Sequence, residues 1–179
     1  MQVCDALAHA HARDVIHLDV SLRNVLIAAA DGTAKLADFG LASDALESPP
    51  SRVPEIMGTP GYVAPEIVRG ARPSPRSDLY SLGAVAHRLL LGPEVPPAEP
   101  GCTAPLTTAV ERRSPLSGGL PDLPHGVHEA VQQALSPEPD ARQESVAEFR
   151  AQLLDGHTPW REGVVPFPDA VESHARRAA

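Results

Sequence analysis

The sequence predicts an α+β fold that is mainly helical and carries one small β-hairpin. Apolar residues recur at the spacing of an amphipathic helix in four separate segments. These segments are residues 1–13, residues 77–91, residues 126–135 and a last segment that opens at Ser145. With 179 residues, 42% of them apolar, the chain is long enough to form one domain with a real core.

The hairpin is predicted between the first and second helices. The apolar run Val25-Leu26-Ile27 and the segment Ala34-Lys35-Leu36 flank a turn that ends in Asp31-Gly32. Asp-Gly between two such runs is a strong hairpin signal. We expect this hairpin to fold Asp38 back towards Asn24, so that a carboxylate and an amide face one space. Hard divalent cations such as Mg²⁺ prefer oxygen ligands of this kind.

Each helix is expected to bury one face. The inward residues are Val3, Leu7 and Ala10; then Leu79, Leu82, Val85 or Ala86, and Leu89; then Val127, Ala130, Val131 and Ala134; and finally Val146, Phe149 and Leu153. Gly92-Pro93 is expected to end the second helix. Ser145 and Glu148 have the spacing of a capping box that opens the last one. His9 and His11, in the first helix, are expected to be solvated or partly packed.

Composition and charge exclude several classes of protein. The formal net charge of -8 argues against a general nucleic-acid binder. No run of eighteen apolar residues predicts a membrane span, and the first residues do not resemble a secretory signal. Cys4 and Cys102 lie far apart without metal-ligand spacing, so we expect reduced thiols in a cytoplasmic protein.

Four separated motifs resemble those of the serine/threonine protein kinases. His17-Leu18-Asp19 with Asn24 is similar to the catalytic loop, and Asp38-Phe39-Gly40 to the metal-binding motif that follows it. Gly58 to Glu66, which reads GTPGYVAPE, is similar to the end of the activation segment, and Ser77 to Gly83 to the start of the central helix. An aminoglycoside-type phosphotransferase shares the first of these motifs but lacks the GTPGYVAPE segment.

The resemblance implies a fold and a domain division. Residues 1–154 are expected to form the large, mainly helical lobe of a bacterial-type kinase domain, with the hairpin near the active site. Residues 155–179 are expected to be a loosely packed or disordered tail, and the proline-rich segment 93–124 carries no motif that we can interpret.

The resemblance also implies a reaction, in which the γ-phosphate of ATP is transferred to Ser or Thr of a protein substrate. Asp19 would accept the proton of the substrate hydroxyl. Asn24 and Asp38 would bind Mg²⁺ and, through it, ATP. Thr59 would bond the catalytic acid.

Three positions near Asp19, namely Leu18, Ser21 and Leu22, depart from the family pattern; Leu22 stands where many relatives have proline. Leu18 replaces the arginine that usually receives a phosphate on the activation loop. Ser21 replaces the lysine that steadies the γ-phosphate, so Ser21 is kept among the candidate catalytic residues. Arg23 is another candidate, because its guanidinium could supply the missing cation.

A further group of residues is expected to be structural. His17 and Phe39 would pack against each other, and Gly40 would permit the backbone turn that follows. Glu66 would form a buried pair with Arg142. Asp78 would reach back to the backbone of the catalytic loop. The resemblance assigns structural roles to His17, Phe39, Gly40, Glu66, Asp78 and Arg142.

The family's small lobe, with its glycine-rich loop and its ATP-binding lysine, has no counterpart in this sequence. We therefore expect a kinase lobe truncated at its N-terminus, with the small lobe supplied upstream or by another chain. The alternative is a non-catalytic, kinase-like binding module or a remnant.

Overall fold

The computed structural model of the protein describes residues 1–39, 58–91 and 124–156. These ranges contain five α-helices and one two-stranded sheet, so the predicted α+β, mainly helical class is confirmed. In chain order, and numbering described elements only, they are α1 (Gln2–His11), β1 (Val25–Ile27), β2 (Ala34–Leu36), α2 (Pro65–Val68), α3 (Pro75–Leu91), α4 (His125–Ala134) and α5 (Val146–Asp155). Short 3-10 turns occupy Leu22–Asn24 and Pro139–Ala141.

Helix α3 lies at the centre of the described structure. All nine residues from Ser77 to Val85 are buried, which is expected only for a helix enclosed by other elements. Helix α3 packs on α4, α4 packs on α5, and α1 packs on both α5 and β2. The contact between α3 and α4 is close at Gly83, where a Cβ atom would lie 2.8 Å from the Cβ of Ala134.

Most residues that were predicted to face inward do so, with one error in α3. Leu7, Leu79, Val131 and Phe149 are among the core residues that are almost fully buried. Leu89, however, is 61% exposed, so its predicted inward position is wrong. In this last turn Leu90 packs against the core instead.

The hairpin forms with the predicted strands, but its turn is longer than a two-residue turn. Val25 pairs with Leu36, and Ile27 pairs with Ala34. Residues 28–33 close the loop, and Gly32 adopts φ +71°, a left-handed conformation that suits glycine. Just beyond the paired strands, the Ala37 amide donates to the backbone carbonyl of Asn24 at 2.8 Å. Asp38 is the next residue after Ala37, so this bond ties its backbone to the neighbourhood of Asn24.

The capping box of α5 is only half formed as predicted. The Oγ of Ser145 accepts from the Glu148 amide at 3.1 Å. The Glu148 carboxylate accepts from the Glu144 amide at 2.8 Å, rather than from the amide of Ser145. In the standard capping box the amide of the N-cap residue is the donor, whereas here the donor is the amide of the preceding residue.

Several predictions lie outside the described residues. These concern Gly40, Cys102, nearly all of the proline-rich segment 93–124 and the tail beyond Gly156. The domain boundary at residue 154 stays a prediction. Across the segments that are described, no helix is both long and apolar enough to cross a bilayer.

A buried ionic network joins α2, α3 and the turn that precedes α5. Arg142 donates to both carboxylate oxygens of Glu66, at 2.8 and 2.7 Å. Its remaining N–H groups donate to the backbone carbonyls of Ser136, Arg76 and Pro137. The Ser77 hydroxyl donates to Glu66 at 2.9 Å. Because the guanidinium is fully buried and every donor is used, this network fixes how the three segments meet.

We expect Arg142→Met to lower the free energy of unfolding by about 3–5 kcal/mol, because the substitution leaves a buried carboxylate without its partner. Urea denaturation followed by circular dichroism measures the change. Asp140→Asn is the matched control, since it removes a carboxylate that pairs with Arg76 at the surface and is fully exposed. That control should leave stability unchanged, and an equal loss in both variants would contradict a special role for the buried pair.

Acid should remove the contribution of Glu66. Burial raises the pKa of this carboxyl, but the hydrogen bonds and charge of Arg142 outweigh burial and lower the pKa below its ordinary value of 4.5. The unfolded chain therefore binds the proton first as the pH falls. The stability is fully present above about pH 4.5 and is lost as the pH drops through the folded-state value. Denaturation of wild type and Glu66→Gln at several pH values should show their difference shrinking in acid; a constant difference would argue against this linkage.

Candidate active site

Asp78 anchors the loop that carries the candidate catalytic residues. Its fully buried carboxylate lies near the start of α3. One oxygen, Oδ2, accepts from the His17 amide at 2.7 Å, and the other, Oδ1, accepts from the Leu18 amide at 2.8 Å. The predicted contact between Asp78 and the loop backbone is therefore present. Asp78 thus fixes the backbone amides of the two residues that immediately precede Asp19.

The loop backbone is strained at Leu18. This residue has φ +67°, in the left-handed region that a branched side chain rarely enters. Such a conformation costs on the order of 1–3 kcal/mol and persists only where surrounding contacts hold it. The hydrogen bond from its amide to Asp78 is one such contact, and the burial of its side chain is another.

His11 is the residue at this anchor that sequence reasoning missed. Its Nε2 lies 2.8 Å from Oδ2 of Asp78, so a third donor reaches the buried carboxylate. The expectation of a solvated or partly packed helix histidine overlooked this partner. No sequence signal pairs them, because 67 residues separate His11 from Asp78 and only the packing of α1 near α3 brings them together.

His17 is held by backbone groups on both sides of its ring. Its Nδ1 accepts from the Asp19 amide at 3.2 Å, so the ring proton belongs to Nε2, which donates to the Ala37 carbonyl at 3.1 Å. The ring is fully buried and lies 4.4 Å from the ring of Phe39, centroid to centroid. This geometry matches the predicted packing of His17 against Phe39 and leaves neither ring nitrogen open to a substrate.

The carboxylate of Asp19 is oriented by two separate parts of the chain. Its Oδ1 accepts from both the amide and the hydroxyl of Thr59, each at 2.7 Å. Its Oδ2 accepts from the side-chain amide of Asn24 at 2.9 Å. The expected contact of Thr59 with the acid is thus present. Because Thr59 lies forty residues along the chain, the segment from Gly58 onward closes one side of the site.

The amide of Asn24 has a defined orientation. Its Nδ2 donates to the backbone carbonyl of Asp19 at 2.8 Å as well as to the Asp19 carboxylate. Both partners are acceptors, so the nitrogen must face Asp19. The Asn24 side-chain oxygen consequently points elsewhere, as a metal-ligating oxygen would.

Asp38 lies between two anchored residues. The Ala37 amide donates to the Asn24 carbonyl, and the Ala37 carbonyl accepts from the His17 ring. The Phe39 ring contacts the same His17 ring. Asp38 itself adopts φ +66°, a left-handed conformation that aspartate tolerates better than most residues. Within the described ranges, no group of three or more His, Cys, Asp or Glu side chains could hold a metal. Asn24 and Asp38 could still share a hard cation with substrate phosphates, as Mg²⁺ sites usually do.

The two candidate substitutes for the family lysine differ in exposure. Ser21 is fully buried, with its Oγ 3.4 Å from Oγ1 of Thr59. Arg23 is exposed, one turn position before Asn24. The burial of Ser21 does not favour a direct contact with a phosphate, and its assignment as a catalytic residue stays a prediction. Arg23 keeps an exposed side chain that can make such a contact.

Comparison with known proteins identifies the class. The family model described as "Protein kinase domain" matches residues 1–155, and the chain belongs to this family. It is 36% identical over 157 residues to the serine/threonine-protein kinase Pkn1 of Myxococcus xanthus, covering 85% of this chain and 22% of that protein. It is 34% identical over 166 residues to the serine/threonine-protein kinase PknA of Mycobacterium tuberculosis, covering 91% of this chain and 38% of that protein.

A solved structure agrees with this assignment. The crystal structure of the Mycobacterium tuberculosis PknI kinase domain superposes with a TM-score of 0.59 at 30% identity, covering 86% of this chain and 52% of that one. The predicted kinase-like fold and the predicted family are therefore confirmed. The chain spans about half of that kinase domain, and 22% and 38% of the two curated kinases.

Gly58→Ala should loosen the contact between Thr59 and Asp19. Gly58 has φ +110°, and a Cβ atom there would lie 2.8 Å from the Leu18 carbonyl oxygen. We expect a loss of at least about 1–3 kcal/mol of stability and faster hydrogen exchange at the Thr59 amide. Gly70→Ala is the control, because Gly70 has φ +82° but nothing within 4 Å of the added carbon. Equal exchange at Thr59 in both variants would show that the close approach is unimportant.

Proposed function

We propose that the protein transfers the γ-phosphate of ATP to serine or threonine residues of a protein substrate. The observation that carries the proposal is the oriented carboxylate of Asp19, held by Thr59 on one side and Asn24 on the other. In kinases such an acid accepts the proton of the substrate hydroxyl. The kinases that the chain matches support the same reaction.

Proton transfer would run through the one carboxylate oxygen that is less occupied. Oδ1 of Asp19 already accepts two hydrogen bonds from Thr59, whereas Oδ2 accepts one from Asn24. A carboxylate oxygen has two acceptor sites, so Oδ2 retains one for the hydroxyl of the substrate. Asp19 would thereby orient that hydroxyl and take its proton as the new oxygen–phosphorus bond forms.

Asn24 and Asp38 are proposed to hold the Mg²⁺ that accompanies ATP. Their oxygen atoms suit this hard cation, and the contact of Asn24 with Asp19 uses the amide nitrogen and not the oxygen, which supports the assignment. The bound ion would neutralise negative charge on the phosphates. Arg23 is proposed to add a positive charge there, in place of the lysine that the family carries at position 21.

A small lobe is proposed as the partner that completes the site, either on the same polypeptide or on another chain. Two apolar side chains of the hairpin support this, because Leu26 is 55% exposed and Ile27 is 63% exposed next to the loop that carries Asn24. Because successive strand residues face opposite sides of a sheet, each face of the hairpin carries an exposed apolar side chain that a partner could cover. We place the activity in the cytoplasm, where ATP is available and thiols such as that of Cys4 remain reduced.

Asp19→Asn should lower kcat by roughly 10²–10⁴, because the variant loses the proton acceptor. Its affinity for ATP in the presence of Mg²⁺ should be unchanged, whereas Asp38→Asn should weaken that affinity. Transfer of radiolabelled phosphate to a panel of Ser/Thr peptides, with ATP binding measured by calorimetry, separates the two effects.

The surface variant Asp140→Asn is the control for both assays. Wild-type protein that neither transfers phosphate nor binds ATP with Mg²⁺ when the small lobe is present would contradict the proposal and favour a non-catalytic binding module. Transfer that survives in Asp19→Asn would contradict the role of Asp19.

A further inference from the structure

We propose that Ser21 is a positioning residue, whose buried hydroxyl holds Thr59 against Asp19. The inference rests on the proposed function, because it concerns the orientation of the proposed proton acceptor. It also changes the meaning of a departure from the family pattern. Ser21 would be the first member of a chain of hydroxyl contacts that ends on the acid, and would have no contact with phosphate.

The direction of the hydrogen bonds follows from the number of protons available. An ionised carboxylate only accepts, so the single hydroxyl proton of Thr59 is used on Asp19, at 2.7 Å. The 3.4 Å contact between Thr59 and Ser21 can then be filled only by the proton of Ser21. The order is Ser21 to Thr59 to Asp19. Since 3.4 Å is long for a contact between hydroxyls, this first link is the weaker one.

The backbone explains why Ser21 faces inward while its neighbours do not. Ser21 is extended, with φ -151° and ψ 165°, and it precedes the 3-10 turn Leu22–Asn24. Its carbonyl accepts from the Asn24 amide at 3.0 Å, which closes the turn. Leu22 and Arg23 are exposed on that turn, whereas Ser21 is fully buried. The turn thus separates the buried hydroxyl from the exposed cation.

Ser21 stands where the family resembled by the sequence carries a lysine that steadies the γ-phosphate, and the exposed cation of this turn is Arg23. A buried neutral hydroxyl can support Thr59 but contributes no charge to a phosphate. The inference therefore predicts that changes at Ser21 affect kcat and leave the KM for ATP unchanged. A residue facing the nucleotide would show the opposite division.

A double-mutant cycle with Ser21→Ala and Thr59→Val, in the protein as its gene encodes it, tests the proposal. Ser21→Ala should lower kcat about 2- to 10-fold, as expected for one net hydrogen bond, at unchanged KM for ATP. When Thr59→Val has already removed the hydroxyl, Ser21→Ala should have no further effect on kcat. Ser21→Thr, which restores the hydroxyl, should recover activity if thermal unfolding shows that the variant is folded.

Two kinetic results would overturn the proposal. If the fold-losses in kcat of the two single variants multiply in the double variant, Ser21 does not act through Thr59. A raised KM for ATP at unchanged kcat would show that Ser21 faces the nucleotide.

Hydrogen exchange at the Thr59 amide tests the contact without any activity. Exchange should be faster in Ser21→Ala than in wild type, because the Thr59 side chain loses a donor that holds it near Asp19. Unchanged exchange would overturn the proposal even if wild type transfers no phosphate. Absent transfer with faster exchange would count against the proposed function alone and leave the hydroxyl contact standing.

Discussion

The buried carboxylate of Asp78 is the contact on which the rest of the site depends. It accepts from two successive backbone amides, at His17 and Leu18, and from the ring of His11. An amide that is buried without an acceptor costs about as much as a lost hydrogen bond. The acceptor that central helix α3 provides therefore helps to hold Leu18 in its left-handed conformation. The position of Asp19 follows directly from that anchor.

From Asp78 outward, each part of the site is fixed by a different segment of the chain. Thr59 orients Asp19 from the side of α2, the hairpin brings Ala37 to Asn24, and the Glu66–Arg142 pair joins α2 to the turn before α5. All of these contacts form within one lobe. Positioning and electrostatics supply most of the catalysis in phosphoryl transfer, so a lobe that orients the Asp19 carboxylate would serve the proposed reaction through positioning.

The sequence predicted this architecture where a local signal existed. Helical periodicity predicted α1 and α3 to α5, and the apolar runs with Asp-Gly predicted the hairpin, although local signals did not reveal its longer turn. Leu89 was misassigned because periodicity cannot show where the enclosing helices end. The pair of His11 with Asp78 and the burial of Ser21 were missed for a related reason. Both depend on tertiary packing between segments that lie far apart in sequence.

Asp78 of the central helix α3 holds the loop that carries Asp19 in shape. Native-state hydrogen exchange of the nucleotide-free protein tests this anchoring most directly at the amides of His17 and Leu18. If Asp78 anchors the loop, these two amides should open only with the core of α3, and Asp78→Asn, which keeps a single acceptor oxygen, should release at least one of them. If they exchange as fast as an unprotected surface loop in the wild type, the loop is not held by Asp78.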